Sequence, residues 1–401
     1  MVEEERRLRV GISGSYGGMN LGDEAILHVI LTQLRRSLPV ELTVFSRNPE
    51  DTRRRHEVDH VVQLQTCSRR ETRDLVAGLD LFILGGGGIL YDLDADMYLR
   101  EVFLAVEAGI PLLVYAVGAG PLTDPRVRSR VREALNQAAL ITVRDRQSQR
   151  LLEDLGVEHD ILVTADPAVL LEEEHLPREE LVRAEALEPG RRLVAFSIRE
   201  PGPAAPELVI EHEQHLIANA ADFVVDRLDA DVVFIPLELR NEDLQHSHRV
   251  ISMMWHARRA TVLRREYSPA QCISLLRHFE LTVGMRLHFL IFSALAGRPF
   301  VALPYASKVA GFLEALKLPP PPVHRAGVGE LLAQIDRTWD RREELTACIQ
   351  AGMAELKRRA RTDIRFALSL LRHIASPELL EQEDLFPRTP GQRHPFPGRS
   401  G

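Results

Sequence analysis

The chain has 401 residues, 45% of them hydrophobic, which is enough for more than one core and favours two domains. A formal net charge of -8 argues against a general nucleic-acid binder and requires any anion site to be local. Cys67, Cys272 and Cys348 stand far apart, outside CxxC or zinc-ligand spacing, so neither a disulfide framework nor a structural metal is expected.

The N-terminal residues pass into an apolar strand without a signal core, and no run reaches transmembrane length; the expected location is cytoplasmic. Short apolar strands then alternate with helical patterns, the arrangement of parallel sheets built from βαβ units. A first series gives strands Leu8–Ile12, Leu42–Phe45, Leu81–Leu84, Leu112–Ala116, Leu140–Val143 and Ile161–Val163. A second gives Leu193–Ile198, Val232–Ile235, Ala260–Leu263, Leu281–Val283 and Phe300–Leu303, with helices expected over 211–228, 242–257, 268–278 and 286–296. The polar, proline-containing stretch from Glu172 to Gly190 separates them as a linker. The expected division is therefore a Rossmann-like domain over 1–175 and a second over 190–325. A helical segment follows over 326–376, with Leu332, Ile335, Trp339, Leu345 and Ile349 on one stripe. The tail 377–401 has too little apolar content to fold alone. A basic cluster of Lys357, Arg358, Arg359, Arg361 and Arg365 reads as a solvated helix face, with a peripheral contact to anionic lipid as the alternative.

Glycine loops and charged residues gather where strands end. Gly11 to Glu24 leaves the first strand and enters a helix, with spacing that matches neither GxGxxG nor a P-loop. Within it, Asn20 and Asp23 approximate a capping box, so Asp23 divides between a cap and a site residue. Gly85 to Gly88 follow a strand, and four glycines together imply close passage of the backbone. What passes close is an anion held by N–H groups, involving Gly86 and Gly87, or a neighbouring chain segment. Asp92, Asp94 and Asp96 have the spacing of a metal-binding DxD, but solvated acids or a helix cap are favoured and no metal is assigned. Arg144 and Asp145 follow the strand 140–143, where pairing with an acid is the alternative to ligand binding. The segment from Gly284 to His288, with Lys308 further on, places an acid/base group between two cations. His288 falls in a helix's first turn at a strand's carboxyl end, where open α/β sheets bind ligands and where unpaired N–H groups favour anions. A core histidine is the bland reading. For Arg286 to share a ligand with His288, it must lie in the turn before that helix.

Taken in order over roughly 10–320, these residues resemble the polysaccharide pyruvyl transferases. The resemblance rests on Gly14 to Glu24, Gly85 to Gly88, Val117 to Pro121, Val143 to Asp145 with Ser148, Gly284 to His288, and Tyr305 with Lys308. It implies two Rossmann-like domains in a GT-B-like arrangement; together with the strand and helix pattern, the expectation is an α/β fold with a C-terminal helix returning across the cleft. It also implies transfer of a pyruvyl group from phosphoenolpyruvate to a sugar as a ketal, in cell-surface polysaccharide biosynthesis. By position, Arg144, His288 and Lys308 correspond to active-site residues, with Arg286 beside them. His288 would protonate the donor's methylene carbon while a sugar hydroxyl attacks the adjacent carbon, an acid/base task suited to imidazole. Arg144 and Lys308 would hold carboxylate and phosphate. The scheme implies no cofactor, no metal and no nucleic-acid partner. Its acceptor is a saccharide, including a lipid-linked one at the inner face of the membrane. The competing readings are a nucleotide-sugar glycosyltransferase on the same fold and a non-catalytic saccharide-binding relative.

Overall fold

The computed structural model describes residues 6–64, 67–200, 209–238, 242–303, 307–319 and 327–375. They divide into two compact units. The first takes the chain up to Gly18, Ile26–Leu170 and the residues from Arg358 onward; the second takes Met19–Ala25 and Leu171–Lys357.

In the first unit the strands β1 (Leu8–Ser13), β2 (Val40–Ser46), β3 (His60–Gln63), β4 (Leu81–Leu90), β5 (Leu112–Ala119), β6 (Leu140–Val143) and β7 (Ile161–Val163) form one sheet in the order β3-β2-β1-β4-β5-β6-β7. Every pairing is parallel. The helices α1 (Leu21–Ser37), α2 (Pro49–Arg55), α3 (Arg69–Val76), α4 (Ala95–Glu107), α5 (Pro125–Leu135) and α6 (Arg146–Asp154) fill the connections. Several starts are written locally. Asn48 accepts from the Asp51 N–H, Ser68 and Glu71 form a reciprocal capping box, and Asp124 and Asp145 cap α5 and α6. Two features differ from the sequence expectation. β3 has no fully buried residue, so its apolar signal is confined to Val61 and Val62 and the strand is not visible in the pattern. Gly85 to Gly88 do not form a loop after β4; they are inside it, with Gly85, Gly87 and Gly88 in register with Tyr115, Val117 and Gly118 of β5.

The second unit holds α7 (Arg178–Glu185), β8 (Arg192–Ser197), α8 (Ile210–Leu228), β9 (Ala230–Phe234), α9 (Glu242–Met253), β10 (Ala260–Val262), α10 (Pro269–Leu276), β11 (Leu281–Gly284), α11 (Leu287–Leu295), β12 (Phe300–Ala302), α12 (Ser307–Ala315) and α13 (Val328–Asp340). Its sheet is parallel in the order β10-β9-β8-β11-β12, so the strand order reverses between β8 and β11. The core joins Phe196, Val224, Phe234 and Val283 to Leu331 and Ile335 of α13.

One parting falls between Leu170 and Leu171, at the edge of the expected linker, and residues 19–25 and the chain from Arg358 add others. The expected linker is fastened to the second unit: Glu185 accepts from the Arg264 and Arg265 N–H groups and the Tyr267 hydroxyl, and the Leu176 N–H donates to Ser274. Residues 19–25 also leave the first unit, because the Leu21 N–H donates to Leu237 O at 2.9 Å and Asn20 bridges to Glu238. The segment 326–376 is two helices, α13 and α14 (Arg342–Ala375), broken at Arg341, and α14 passes from one unit's contacts to the other's at Arg358. Arg358, Arg361 and Arg365 are exposed on it. Tyr305 and the tail beyond Ala375 lie outside the described residues.

Candidate functional site

In the second unit the carboxyl ends of β8 and β11 mark the point of strand reversal, the ordinary ligand position of an open α/β sheet. His288 is the second residue of α11, directly after β11. Arg286 has extended backbone (φ -81°, ψ 128°) and precedes the helix, as a shared role with His288 demands. The residue against the imidazole comes from far away in sequence. A Cβ on Gly22 would stand 1.9 Å from His288 Nδ1 and 2.2 Å from Cγ, so only glycine lets the first turn of α1 approach the ring. Asn20 caps that turn, its side-chain oxygen accepting from the Gly22 N–H at 3.0 Å. His288 thus sits among two helix N-termini, its own and that of α1, where helix dipoles favour negative charge; in α1 the Leu21 and Gly22 N–H groups are already bonded, to Leu237 and Asn20.

Arg286 is not a spare cation. Its guanidinium is buried and pairs with Asp243 at 2.5 Å and with Glu238 at 2.9 Å. Burial alone would weaken its hold on the proton, but the two carboxylates outweigh burial and fix the charge. Asp243 also accepts from the Leu237 and Glu238 N–H groups at 3.2 and 3.1 Å. This network ties α9, the segment after β9, the start of α1 and the start of α11 together around His288. Lys308 is the second residue of α12, half-buried and engaged within the chain. Asp23 occupies the first turn of α1 and is likewise engaged.

In the first unit Arg144 is buried and pairs with Asp166 at 3.1 Å, while its Nε lies 3.6 Å from Asp145. Two glycines are spaces for it: a Cβ on Gly118 would come within 2.8 Å of three guanidinium atoms, and one on Gly88 within 3.2 Å of Nη2. Gly86 has φ +51°, and a Cβ there would strike Ile26 at 2.1 Å; Gly87 has φ +86°. The glycine run thus serves close packing of the chain on itself at Gly86 and Gly88, and the neighbouring-segment reading holds there. Asp92 accepts from Thr123 and Asp124, Asp94 pairs with Arg47, and Asp96 pairs with Arg126 and Arg130. All three are committed to protein partners. In the same unit, Asp363 of α14 is fully buried; burial pushes its carboxyl up to about 8, against partial offset from Thr142 and Thr164.

Sequence reasoning missed Asp243, Glu238, Asp166 and the contact of Gly22 with His288. The acids carried no local signal, whereas Gly22 stood inside a glycine loop already singled out.

Two parallel sheets of this kind define a GT-B-like α/β protein. The fold is similar to that of the putative UDP-N-acetylglucosamine 2-epimerase of Listeria monocytogenes, with TM-score 0.64 and 12% identity over 92% of this chain and 96% of that one. It is also similar to the UDP-GlcNAc 2-epimerase of Methanocaldococcus jannaschii, with TM-score 0.64 and 9% identity over 91% and 100% of the two chains. At such identities the likeness shows the fold alone. Residues 20–307 match the family described as polysaccharide pyruvyl transferase, and the chain belongs to that family. The match takes in the site around Gly22 and His288. The chain is also 22% identical over 284 residues to the amylovoran biosynthesis protein AmsJ of Erwinia amylovora, covering 68% of each. This is therefore a transferase-family protein of polysaccharide biosynthesis. No helix among the described residues is long and apolar enough to cross a membrane.

Proposed function

We propose that the protein moves a pyruvyl group from phosphoenolpyruvate to two hydroxyls of a saccharide, forming a ketal. A lipid-linked saccharide at the inner face of the membrane is the acceptor class we favour. The observation that carries this reading is the imidazole of His288 held against Gly22 among two helix N-termini, an acid placed where an anion is favoured. Protonated His288 gives its proton to the donor's methylene carbon as an acceptor hydroxyl attacks the adjacent carbon. The methylene becomes a methyl group, and the attacked carbon now carries both the sugar oxygen and the phosphate. Phosphate leaves with the electron pair of its C–O bond, a second hydroxyl attacks the carbon it vacates and the ketal closes, while one hydroxyl proton passes to Asp23 and the other returns to the now neutral His288. Asp23, next to Gly22, is the carboxylate we assign to an acceptor hydroxyl, and Asn20 shapes the turn that carries it.

The donor's charge falls to Lys308 and the helix N-termini. Arg286 and Arg144, each neutralised by buried carboxylates, are assigned to holding the strand ends in place. Gly86 and Gly87 are assigned to the packing of β4 within the first unit. The reading requires neither metal nor cofactor. Incubation with phosphoenolpyruvate and candidate oligosaccharides tests it. Phosphate release matched to acceptor mass gain supports it; tight uridine diphosphate binding with no phosphate release favours a glycosyltransferase.

A further inference from the structure

The second unit carries a surface whose chemistry the transfer reaction does not use. From Leu244 to Arg259 the sequence has no Asp or Glu but three Arg and three His, in a chain of net charge -8. Six large apolar side chains are exposed among the described residues, and Leu244, Met253 and Trp255 all fall in this stretch. The clustering is geometric as well as sequential. The exposed residues of α9 are Leu244, Gln245, His248, Arg249, Ser252 and Met253, a repeat that puts them on one face, while Asp243, His246, Ser247 and Val250 fill the other.

Trp255 lies two residues beyond the end of α9 and is 91% exposed, yet it is no frayed end. Its backbone N–H and that of His256 donate to the carboxylate of Asp222 on α8 at 3.0 and 2.9 Å, so the indole is fixed outward from an anchored turn. Arg249 and Arg258 are exposed alongside and make no ion pair among the described residues. Arg259 is offset by Asp229 and Asp231, and His256 by Asp226, so the free positive charge of this face lies with the first two arginines. An amphipathic helix carrying Arg249, followed by an exposed tryptophan and Arg258, suits the boundary between anionic headgroups and acyl chains, where indole partitions and each cation adds attraction.

We propose that the α9 face docks the protein on an anionic phospholipid bilayer, with Trp255 inserted at the headgroup level and Arg249 and Arg258 against the lipid phosphates. The proposal goes beyond the transfer reaction and does not depend on it. The chain has only two tryptophans, which gives a direct reporter: in Trp339→Phe, all emission comes from Trp255. This variant is titrated with phosphatidylcholine vesicles and with vesicles of phosphatidylcholine and phosphatidylglycerol, while sedimentation measures the bound fraction. The expected result is a blue shift and binding with the anionic vesicles only, weakened by salt. Trp255→Ser and the pair Arg249→Ser with Arg258→Ser should each lower the vesicle affinity about tenfold or more. Trp255→Ser should leave the soluble protein's melting temperature unchanged. Unaltered emission on addition of anionic vesicles, or undiminished binding by Trp255→Ser, would overturn the proposal. So would self-association that Trp255→Ser abolishes without any vesicle binding, since that would make the face an interface between copies of this chain.

Discussion

Gly22→Ala tests whether His288 is an acid that must stand in one place. The added methyl begins 1.9 Å from Nδ1, and ordinary contact starts at 3.4 Å, so the ring or the first turn of α1 must retreat by about 1.5 Å. Two effects on stability oppose each other. Alanine favours the helix by roughly 0.5–1 kcal/mol, and overpacking costs typically 1–3 kcal/mol. The net loss is then about 0–2.5 kcal/mol, a fall in melting temperature of several degrees at most. Catalysis responds more steeply, because a misplacement near 1 Å costs on the order of 10²-fold and the proton transfer itself is worth about 10²–10⁴-fold. Turnover should therefore fall about a hundredfold in protein that remains folded. The assay is phosphate release at saturating donor, beside a thermal melt, for Gly22→Ala, His288→Ala and the double variant. If the defect acts through the imidazole, the double variant is no slower than His288→Ala alone. Wild-type turnover in folded Gly22→Ala, or losses that multiply in the double variant, would refute the reasoning.

Lys308→Ala should weaken phosphoenolpyruvate binding by roughly 1.5–3 kcal/mol in calorimetric titration, whereas His288→Ala should change it much less. Asp243→Ala should destabilise the second unit by about 3–5 kcal/mol in denaturant unfolding, because it strips a buried guanidinium of one carboxylate; Asp243→Leu with Arg286→Met should recover most of that loss while activity stays low. Asp363 gives a pH dependence. Its folded carboxyl holds its proton up to about 8, above the unfolded value, so its contribution is fully present below about pH 4 and is lost as pH rises toward 8. In that window stability should fall by up to about 1.4 kcal/mol per pH unit from this group, and Asp363→Asn should flatten the curve in thermal melts from pH 5 to 9.

The strands of both sheets were readable because parallel strands covered on two faces are runs of apolar residues. Leu140–Val143 and Ile161–Val163 begin and end where the pattern places them. β3 was hidden because an edge strand with little burial needs few apolar residues. The glycines of β4 misled for a physical reason: glycine usually interrupts strands, and here its lack of a side chain admits Ile26 and Arg144. His288 and Arg286 were placed correctly around the start of α11, since a strand end followed by an apolar helix is a local signal. Their partners were not legible. Asp243 and Glu238 reach Arg286 through the order of β8, β9 and β11, and nothing beside them in sequence marks them. The same holds for the capture of residues 19–25 by the second unit, which depends on a hydrogen bond from Leu21 to Leu237.

The most direct test of pyruvyl transfer with proton delivery to the donor is to run the reaction in deuterium oxide with phosphoenolpyruvate and an oligosaccharide acceptor, then examine the product by mass spectrometry and proton resonance. Phosphate release equal to product formed is expected, with a ketal whose methyl group carries one deuterium from solvent. A product without solvent deuterium in that methyl group, or saccharide transfer from a nucleotide sugar with no phosphate released from phosphoenolpyruvate, would contradict it.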